Sequence, residues 1–362
     1  MGKPSGKDRD MIGSLSIENF KGIRRVVLND MTRLCLISGK NNIGKSSLLE
    51  AVFLLMDHSS NDSFAKLNGF RGVYSGETAS LWDSLFHNLE PDSQIRLSVV
   101  EDSLPSTLTY CRDSTYVPVS NSSVPEDVLA QFRSAMRGSY SMKFHYKAGE
   151  YEENGHFSMA SGSILRQMTT SLPGNEFMPM RPTRFLASSL ARSLEGVADG
   201  IGRMELSGRK SVIVDILREL DSSIEDIVTV SLQGITQLHV RSLGKWIPIQ
   251  FAGDGVLRLL QICLAVLEHE NGLVLIDEIE AGFHYSAYGP LWKALETLTS
   301  QTGCQVLATT HSYEMIQAAR NHVADEGCFS YYRLGKAANG IAAYRFNQSM
   351  LGSALDSEME VR

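Results

Sequence analysis

The alternation of apolar and polar positions divides the 362-residue chain into elements before any residue is given a role. "RLCLISG" (33–39) is a short continuous apolar run, the pattern of a strand buried on both faces. "SSLLEAVFLLMD" (46–57) follows and places Leu48, Leu49, Val52, Leu55 and Met56 at helical spacing. Two more short apolar runs, Leu273–Ile276 and Cys304–Ala308, predict further buried strands, each ending in polar residues. Near the N-terminus, "GSLSIENFKGIRRVVLNDM" (13–31) reads as a strand pair turning at Phe20-Lys21. "SYSMKFHYKAGEYEENGHFSM" (139–159) alternates like a hairpin, and "ITQLHVRSLGKWIPIQF" (235–251) does the same. "SSLARSLEGVADGIGRMEL" (188–206) reads as helical, and a second helix carries Ile213, Ile216, Leu217 and Leu220 on one face before a strand.

Composition narrows the classes. With 43% hydrophobic residues the chain can bury a large core, as one large domain with an insertion or as two domains. The formal charge of -7 excludes a uniformly basic nucleic-acid binder and leaves room for a local patch. The cysteines (Cys35, Cys111, Cys263, Cys304 and Cys328) are scattered, form no CxxC pair and read as buried hydrophobes of a reducing compartment. "MGKPSGKDRD" has no apolar core of a leader, and Gly6 stands where a myristoylation signal needs a hydroxyl. No apolar run approaches the roughly 18 residues of a membrane helix. The expectation is a cytoplasmic protein with no membrane partner.

Between the first buried strand and its helix stands Gly39-Lys-Asn-Asn-Ile-Gly44-Lys45-Ser46, which matches the phosphate-binding loop G-x-x-x-x-G-K-[ST] in its required strand–loop–helix setting. The glycines let backbone N–H groups turn toward phosphate oxygens, and the helix N-terminus adds partial positive charge. Lys45 is expected at the β- and γ-phosphates, and the Ser46 hydroxyl on Mg²⁺. The neighbouring Gly39, Asn41, Asn42, Gly44 and Ser47 complete the expected nucleotide cradle. In "NGLVLIDEIEAGFH" (271–284) the apolar strand ends in two acids, delivered to the carboxyl edge of a parallel sheet. Asp277 is the expected metal ligand and Glu278 the base that polarises the attacking water. "CQVLATTHSYEMI" (304–316) ends its strand at Thr309-Thr310-His311, placing His311 as a γ-phosphate sensor.

These three motifs, in this order, resemble the ABC-type ATPase heads of the OLD (overcoming lysogenization defect) family and its SMC-like relatives. The opening strand pair, "IQFAGDGVLRLLQICLAVL" (249–267) before the acidic strand, and the closing "YYRLGKAANGIAAYRF" (331–346) with "EVR" (360–362) extend the likeness over roughly 12–110 and 210–362. The resemblance implies an α/β fold, an ABC-type P-loop NTPase head with a mixed central sheet and a compact α+β insertion. It implies ATP and Mg²⁺ as cofactors, Lys21 near the nucleotide, and Gly253, Asp254 and Gly255 as the signature turn. The usual signature serine is absent, so phosphate contact there falls to backbone N–H groups, with Asp254 expected to cap the helix beginning near Gly255. No clear glutamine loop is visible; Gln94 is a weak candidate. One nucleotide shared between the loop of one subunit and the turn of another implies a homodimer or larger homo-oligomer.

The domain reading is a disordered N-terminus (1–11), an N-terminal lobe (12–115), an insertion facing a partner or substrate (116–208) and a C-terminal lobe (209–362). Turn-rich "TYVPVSNSSVPEDV" (115–128) and the loop "SLPGNEFMPMRPTRF" (171–185) fall in the insertion, which shows no heptads and so excludes a long coiled coil. Arg181, Arg184, Arg192, Arg203, Arg209 and Lys210 make that region locally basic, either as solvated surface or as a nucleic-acid contact. His239 reads as an exposed strand residue, and His284 as part of an E-x-G-x-H pattern or as structural. The sequence ends after the expected last strands of the head, so no nuclease domain of the TOPRIM type is expected to follow. The resemblance then implies a stand-alone ATPase that senses or regulates a separate effector, a nuclease or toxin, in bacterial anti-phage defence. The alternative is an ATPase of the DNA-repair or chromosome type that clamps DNA itself. A transporter subunit fits poorly, because the signature serine and a glutamine loop are missing.

Overall fold

The computed structural model describes residues 11–73, 78–115, 125, 127–128, 130, 141–160, 163–170, 181–191, 193–194, 196–232, 235–357 and 359–362. Residues 1–10 of the N-terminus expected to be disordered (1–11), and residues 116–124 and 171–180 of the loops read at 115–128 and 171–185, lie outside these residues. The elements run β1 (Ile12–Phe20), β2 (Ile23–Asn29), β3 (Leu34–Gly39), α1 (Lys45–Met56), α2 (Ser63–Gly69), α3 (Thr78–Asp83), β4 (Ile95–Glu101), β5 (Leu104–Asp113), β6 (Ser141–Ala148), β7 (Tyr151–Ala160), β8 (Ser163–Thr170) and β9 (Thr183–Leu186). They continue as α4 (Val197–Leu206), α5 (Lys210–Leu220), β10 (Ile224–Leu232), β11 (Ile235–Ser242), β12 (Lys245–Pro248), α6 (Asp254–Glu268), β13 (Leu273–Ile276), α7 (Tyr288–Thr302), β14 (Gln305–Thr309), α8 (Tyr313–His322), β15 (Phe329–Ala337), β16 (Gly340–Phe346) and α9 (Gln348–Asp356).

The central sheet has the order β16-β15-β3-β14-β13-β9, parallel from β15 to β9 and closed by antiparallel β16. It is the mixed sheet expected. β3, β13 and β14 are buried at every position, which is why they read as unbroken apolar runs rather than alternations. An antiparallel sheet of order β2-β1-β4-β5-β6-β7-β8 stands against it, with α1 between the two, touching β1 and β4 on one side and β3, β9, β13 and β14 on the other. That position explains the composition of α1. A helix clad on all sides has no polar face, so Ala51, Phe53 and Leu54 are buried along with the five residues of the expected stripe. The opposite face of the central sheet carries α4 to α8 in a second apolar core. The small sheet β10-β11-β12 sits beside it, packed against α4 and α5.

The strands within the 116–208 segment join both sheets. β6, β7 and β8 continue the antiparallel sheet through β5, and β9 pairs with β13 at the edge of the central one. The hairpin read at 139–159 turns between β6 and β7 at Gly149 and Glu150, so Asn154-Gly155 lies inside β7. Gly155 is there for space: a Cβ would sit 2.6 Å from Cε1 of Phe144 across the sheet. Among the described residues, no helix is long and apolar enough to cross a membrane.

Candidate nucleotide site

The loop from Gly39 to Gly44 joins the end of β3 to the start of α1. Gly39 and Gly44 have φ of 148° and 103°. A Cβ on Gly39 would lie 2.8 Å from the Leu334 carbonyl oxygen, so both conformation and space demand glycine there. Lys45, the first residue of α1, is buried, and its Nζ donates to the carbonyls of Gly39 at 2.6 Å and Lys40 at 3.1 Å. Burial pulls its ammonium down to about 8, against the opposing pull of Asp277, Glu280 and Glu278.

The ends of α1, β13 and β14 meet at one carboxylate. Ser46 Oγ donates to Asp277 Oδ1 at 2.9 Å, and Thr309 Oγ1 donates to the same oxygen at 2.8 Å. Thr309 Oγ1 also accepts from the Glu278 N–H at 2.9 Å, which fixes the first residues past β13 to the end of β14. Glu278 takes the left-handed conformation, with φ of 49°, a strained geometry typical of functional sites. His311 Nε2 stands 3.8 Å from Glu278 Oε1, and the His311 N–H donates to Glu280 Oε1 at 2.6 Å. A cleft of about 600 Å³ opens over these groups, lined by Gly22, Asn41, Asn42, Gly44, Lys45, Ser46, Ser47, Arg71, Glu278 and His311.

The donor set fits Mg²⁺. A hydroxyl and a carboxylate, both hard oxygen donors, already share a hydrogen bond at the mouth of the phosphate loop. Mg²⁺ keeps waters and is held by one or two protein side chains plus substrate phosphates, not by a full protein cage. Consistent with that, no group of three or more His, Cys, Asp or Glu side chains gathers into a metal site among the described residues.

The structure therefore brings Asn41, Asn42, Gly44, Lys45, Ser46, Ser47, Glu278 and His311 together around one cleft, with Gly39 and Asp277 directly bonded to its wall. Lys21 is placed differently from the expectation. It is turned to Glu50 at 2.8 Å and does not line the cleft, whereas its neighbour Gly22 does. Gly253 and Asp254 are exposed and Gly255 is half-buried at the start of α6, with Gly253 at φ 94°, and none of them lines this cleft. Asp254 is not the cap of α6: Gly253 takes that position and Asp254 is the first helical residue, where an acid complements the helix dipole. Gln94 immediately precedes β4, in a separate cleft with Thr109, Lys143 and Glu152. His284 is exposed, within 3.0 Å of Ser286 Oγ, and His239 is half-buried rather than exposed.

Several residues at or beside the cleft were not among the expected site residues. Arg71 lines the cleft, and its Nε and Nη2 donate to Glu50 at 2.5 and 2.9 Å. Glu50, 2% exposed, thus holds Lys21 and Arg71 on one buried carboxylate. Arg258 sits in the apolar run of α6, and its Nη2 reaches the Asp277 carbonyl at 3.3 Å. Its charged neighbours are Asp277, Glu278 and Glu280 at the end of β13. Of the six basic residues read near 181–210, Arg181, Arg203, Arg209 and Lys210 face acids: Glu101 at 3.2 Å, Glu268 at 2.7 Å, Glu270 at 2.6 Å and Glu205 at 2.6 Å. Arg192 lies outside the described residues.

Comparison with known proteins finds ATPase families and relatives. The family described as "AAA ATPase domain" matches residues 11–131, and the one described as "AAA domain, putative AbiEii toxin, Type IV TA system" matches residues 165–316. An "ATP/GTP phosphatase" of Helicobacter pylori is 23% identical over 325 residues, covering 85% of this chain and 87% of its own. The Septu protein PtuA of Bacillus thuringiensis is 24% identical over 327 residues, covering 85% and 74%. Among solved structures, an SMC head bound to the C-winged helix domain of ScpA aligns over 95% of this chain and 99% of that one, at 11% identity and a TM-score of 0.49. ATPase families match both halves, and the loop, acidic strand and strand-end histidine converge on one cleft: this chain is an α/β P-loop ATPase.

Proposed function

We propose that this ATPase binds and hydrolyses ATP between paired subunits and acts as sensor and regulator of a separate effector, a nuclease or toxin, in bacterial anti-phage defence. The observation that carries the paired site is the separation of the two phosphate-reading elements. The nucleotide cleft lies at the phosphate loop, while the turn at Gly253 and Asp254 is exposed and lines none of it. The first N–H groups of a helix have no partner within the helix, and those of α6 stand behind an open glycine turn. The same turn of a second copy would cover the nucleotide, so that each of two sites takes one element from each chain. The defence setting is supported by likeness to the Septu protein PtuA and by a family whose description names a toxin system.

Within the cleft, Lys45 would hold the β- and γ-phosphates once it leaves the loop carbonyls, and Ser46 with Asp277 would hold Mg²⁺. The metal supplies charge neutralisation of the phosphates. Glu278 would orient and polarise the attacking water, with His311 beside it at the γ-phosphate. Arg71 adds a guanidinium to the same wall. The test is the mass of the Glu278→Gln protein in solution with and without Mg²⁺-ATP, then its co-purifying partners from its own host. A nucleotide-dependent rise in mass that Gly253→Trp abolishes, with a stoichiometric protein partner, is the expected result. An unchanged mass refutes the shared site. Nucleic acid in place of a protein partner refutes the effector reading and moves the head to a DNA or RNA clamp.

A further inference from the structure

A second cleft lies across the central sheet from α1, where α4 and α6 meet β9. Its volume is about 160 Å³. Its walls mix apolar side chains, among them Leu190, Val197 and Leu264, with polar ones, two of which are left unsatisfied. Arg258, 1% exposed, lines the cleft with an Nε that has no hydrogen-bond partner. Gln261 donates its amide to the Ser193 carbonyl at 2.6 Å, which leaves its buried Oε1 without a partner. Buried donors and acceptors are paired in folded proteins, and a guanidinium with an open N–H costs more than a neutral group. The remaining ionisable groups on the rim are Arg184, His269 and the Arg203–Glu268 pair, closed at 2.7 Å, so the acid there already has its cation.

We propose that this cleft is a binding site for a small hydroxy- or amino-substituted carboxylate with a compact apolar body. A guanidinium edge matches the planar carboxylate, and the free Gln261 oxygen needs a donor on the same ligand. The size agrees: an apolar cavity of about 150 Å³ accommodates a benzene ring. Occupancy reaches the nucleotide site through Arg258, because the same guanidinium is bonded to the carbonyl of Asp277, whose carboxylate holds Ser46. The ligand thereby acts as an effector of the ATPase from the opposite face of the sheet.

The probe is 3-hydroxybenzoate, with neutral 3-hydroxybenzamide and inorganic phosphate as comparisons, read by thermal unfolding and by ATPase rate on the full chain. The expected result is a rise in Tm of about 3.5 °C at a hundredfold excess over Kd, a changed ATPase rate, and no response to the amide or to phosphate. Leu190→Trp, which fills the cleft from a partly exposed position away from the nucleotide, keeps basal ATPase and loses both responses. The proposal is overturned if the amide or phosphate acts as the carboxylate does, if Leu190→Trp responds like the parent, or if no probe shifts Tm at millimolar concentration.

Discussion

Glu50→Gln is the most informative single change near the nucleotide. Glu50 is 2% exposed and accepts from Lys21 at 2.8 Å and from Arg71 at 2.5 and 2.9 Å. Removing one partner of a buried ion pair costs roughly 3–5 kcal/mol, because the other charge stays buried. Here the two cations differ. The Lys21 side chain is 14% exposed and keeps its penalty, whereas that of Arg71 is 49% exposed and can turn to water. The lower end applies, about 3 kcal/mol, or about 4 °C in Tm at ~1.3 °C per kcal/mol for a chain of this size. Arg71 also loses its clamp at the cleft wall, so ATP affinity falls about tenfold, equivalent to about 1.4 kcal/mol. The pH dependence has a definite sign. Burial already holds the Lys21 ammonium below its ordinary value despite Glu50, and the substitution lowers it further. The folded state then binds fewer protons than the unfolded one, so the deficit is full at neutral pH and shrinks as pH rises toward the ordinary lysine value. Calorimetry of Glu50→Gln and of the double variant Lys21→Met/Glu50→Gln checks this, since the double variant removes the stranded charge and regains most of the loss. A Tm for Glu50→Gln within a degree of the parent, or a double variant less stable than the single one, refutes the reasoning.

Three further outcomes are expected. With Lys45 held to about 8 in the free protein and raised by bound polyphosphate, ATP binding takes up close to one proton at pH 9 and almost none at pH 7, and affinity falls up to about tenfold per pH unit above 8; calorimetry in two buffers of different ionisation heat reads this directly. Glu278→Gln lowers hydrolysis by about 10²–10⁴-fold while retaining ATP binding, measured by phosphate release beside equilibrium binding of a fluorescent nucleotide. Gly155→Ala drives a Cβ against the Phe144 ring at 2.6 Å and the Gln167 carbonyl, and destabilises by about 3 kcal/mol in denaturant unfolding, with nucleotide affinity unchanged in the folded fraction.

The elements that the sequence made legible are those whose pattern follows from a local cause. β3, β13 and β14 are short because they are strands, and mostly apolar because helices cover both faces of the central sheet and bury every position. The phosphate loop is legible because Gly39 and Gly44 answer conformational demands that hold wherever such a loop occurs. β6 to β9 were harder to place. Alternation marks them as strands but cannot say which sheet receives them, and β9, four residues long, joins the central sheet only through its pairing with β13, about 90 residues later. The α1 stripe was drawn too narrow for a related reason: nothing within the helix reveals that a second sheet lies behind it.

The site divides along the same line. Lys45, Ser46, Asp277, Glu278 and His311 lie at strand ends or helix starts, where sequence position alone sets their exposure to the sheet's carboxyl edge. Glu50, Arg71 and Arg258 act through partners 21, 29 and 19 positions away, and their spacing from those partners has no period that a sequence pattern can detect. What a sequence does show for them is a misfit: Glu50 and Arg258 are charges inside otherwise apolar helical runs, and a buried charge requires a partner from another element. Arg71 had not even that signal, because it is charged, follows a short helix and is half exposed. It is visible only once α1 has delivered Glu50 to meet it. The charged residues inside buried helices are therefore where a sequence reading of this fold is best extended, and each of them here leads back to the acids at the end of β13 or to the wall of the nucleotide cleft.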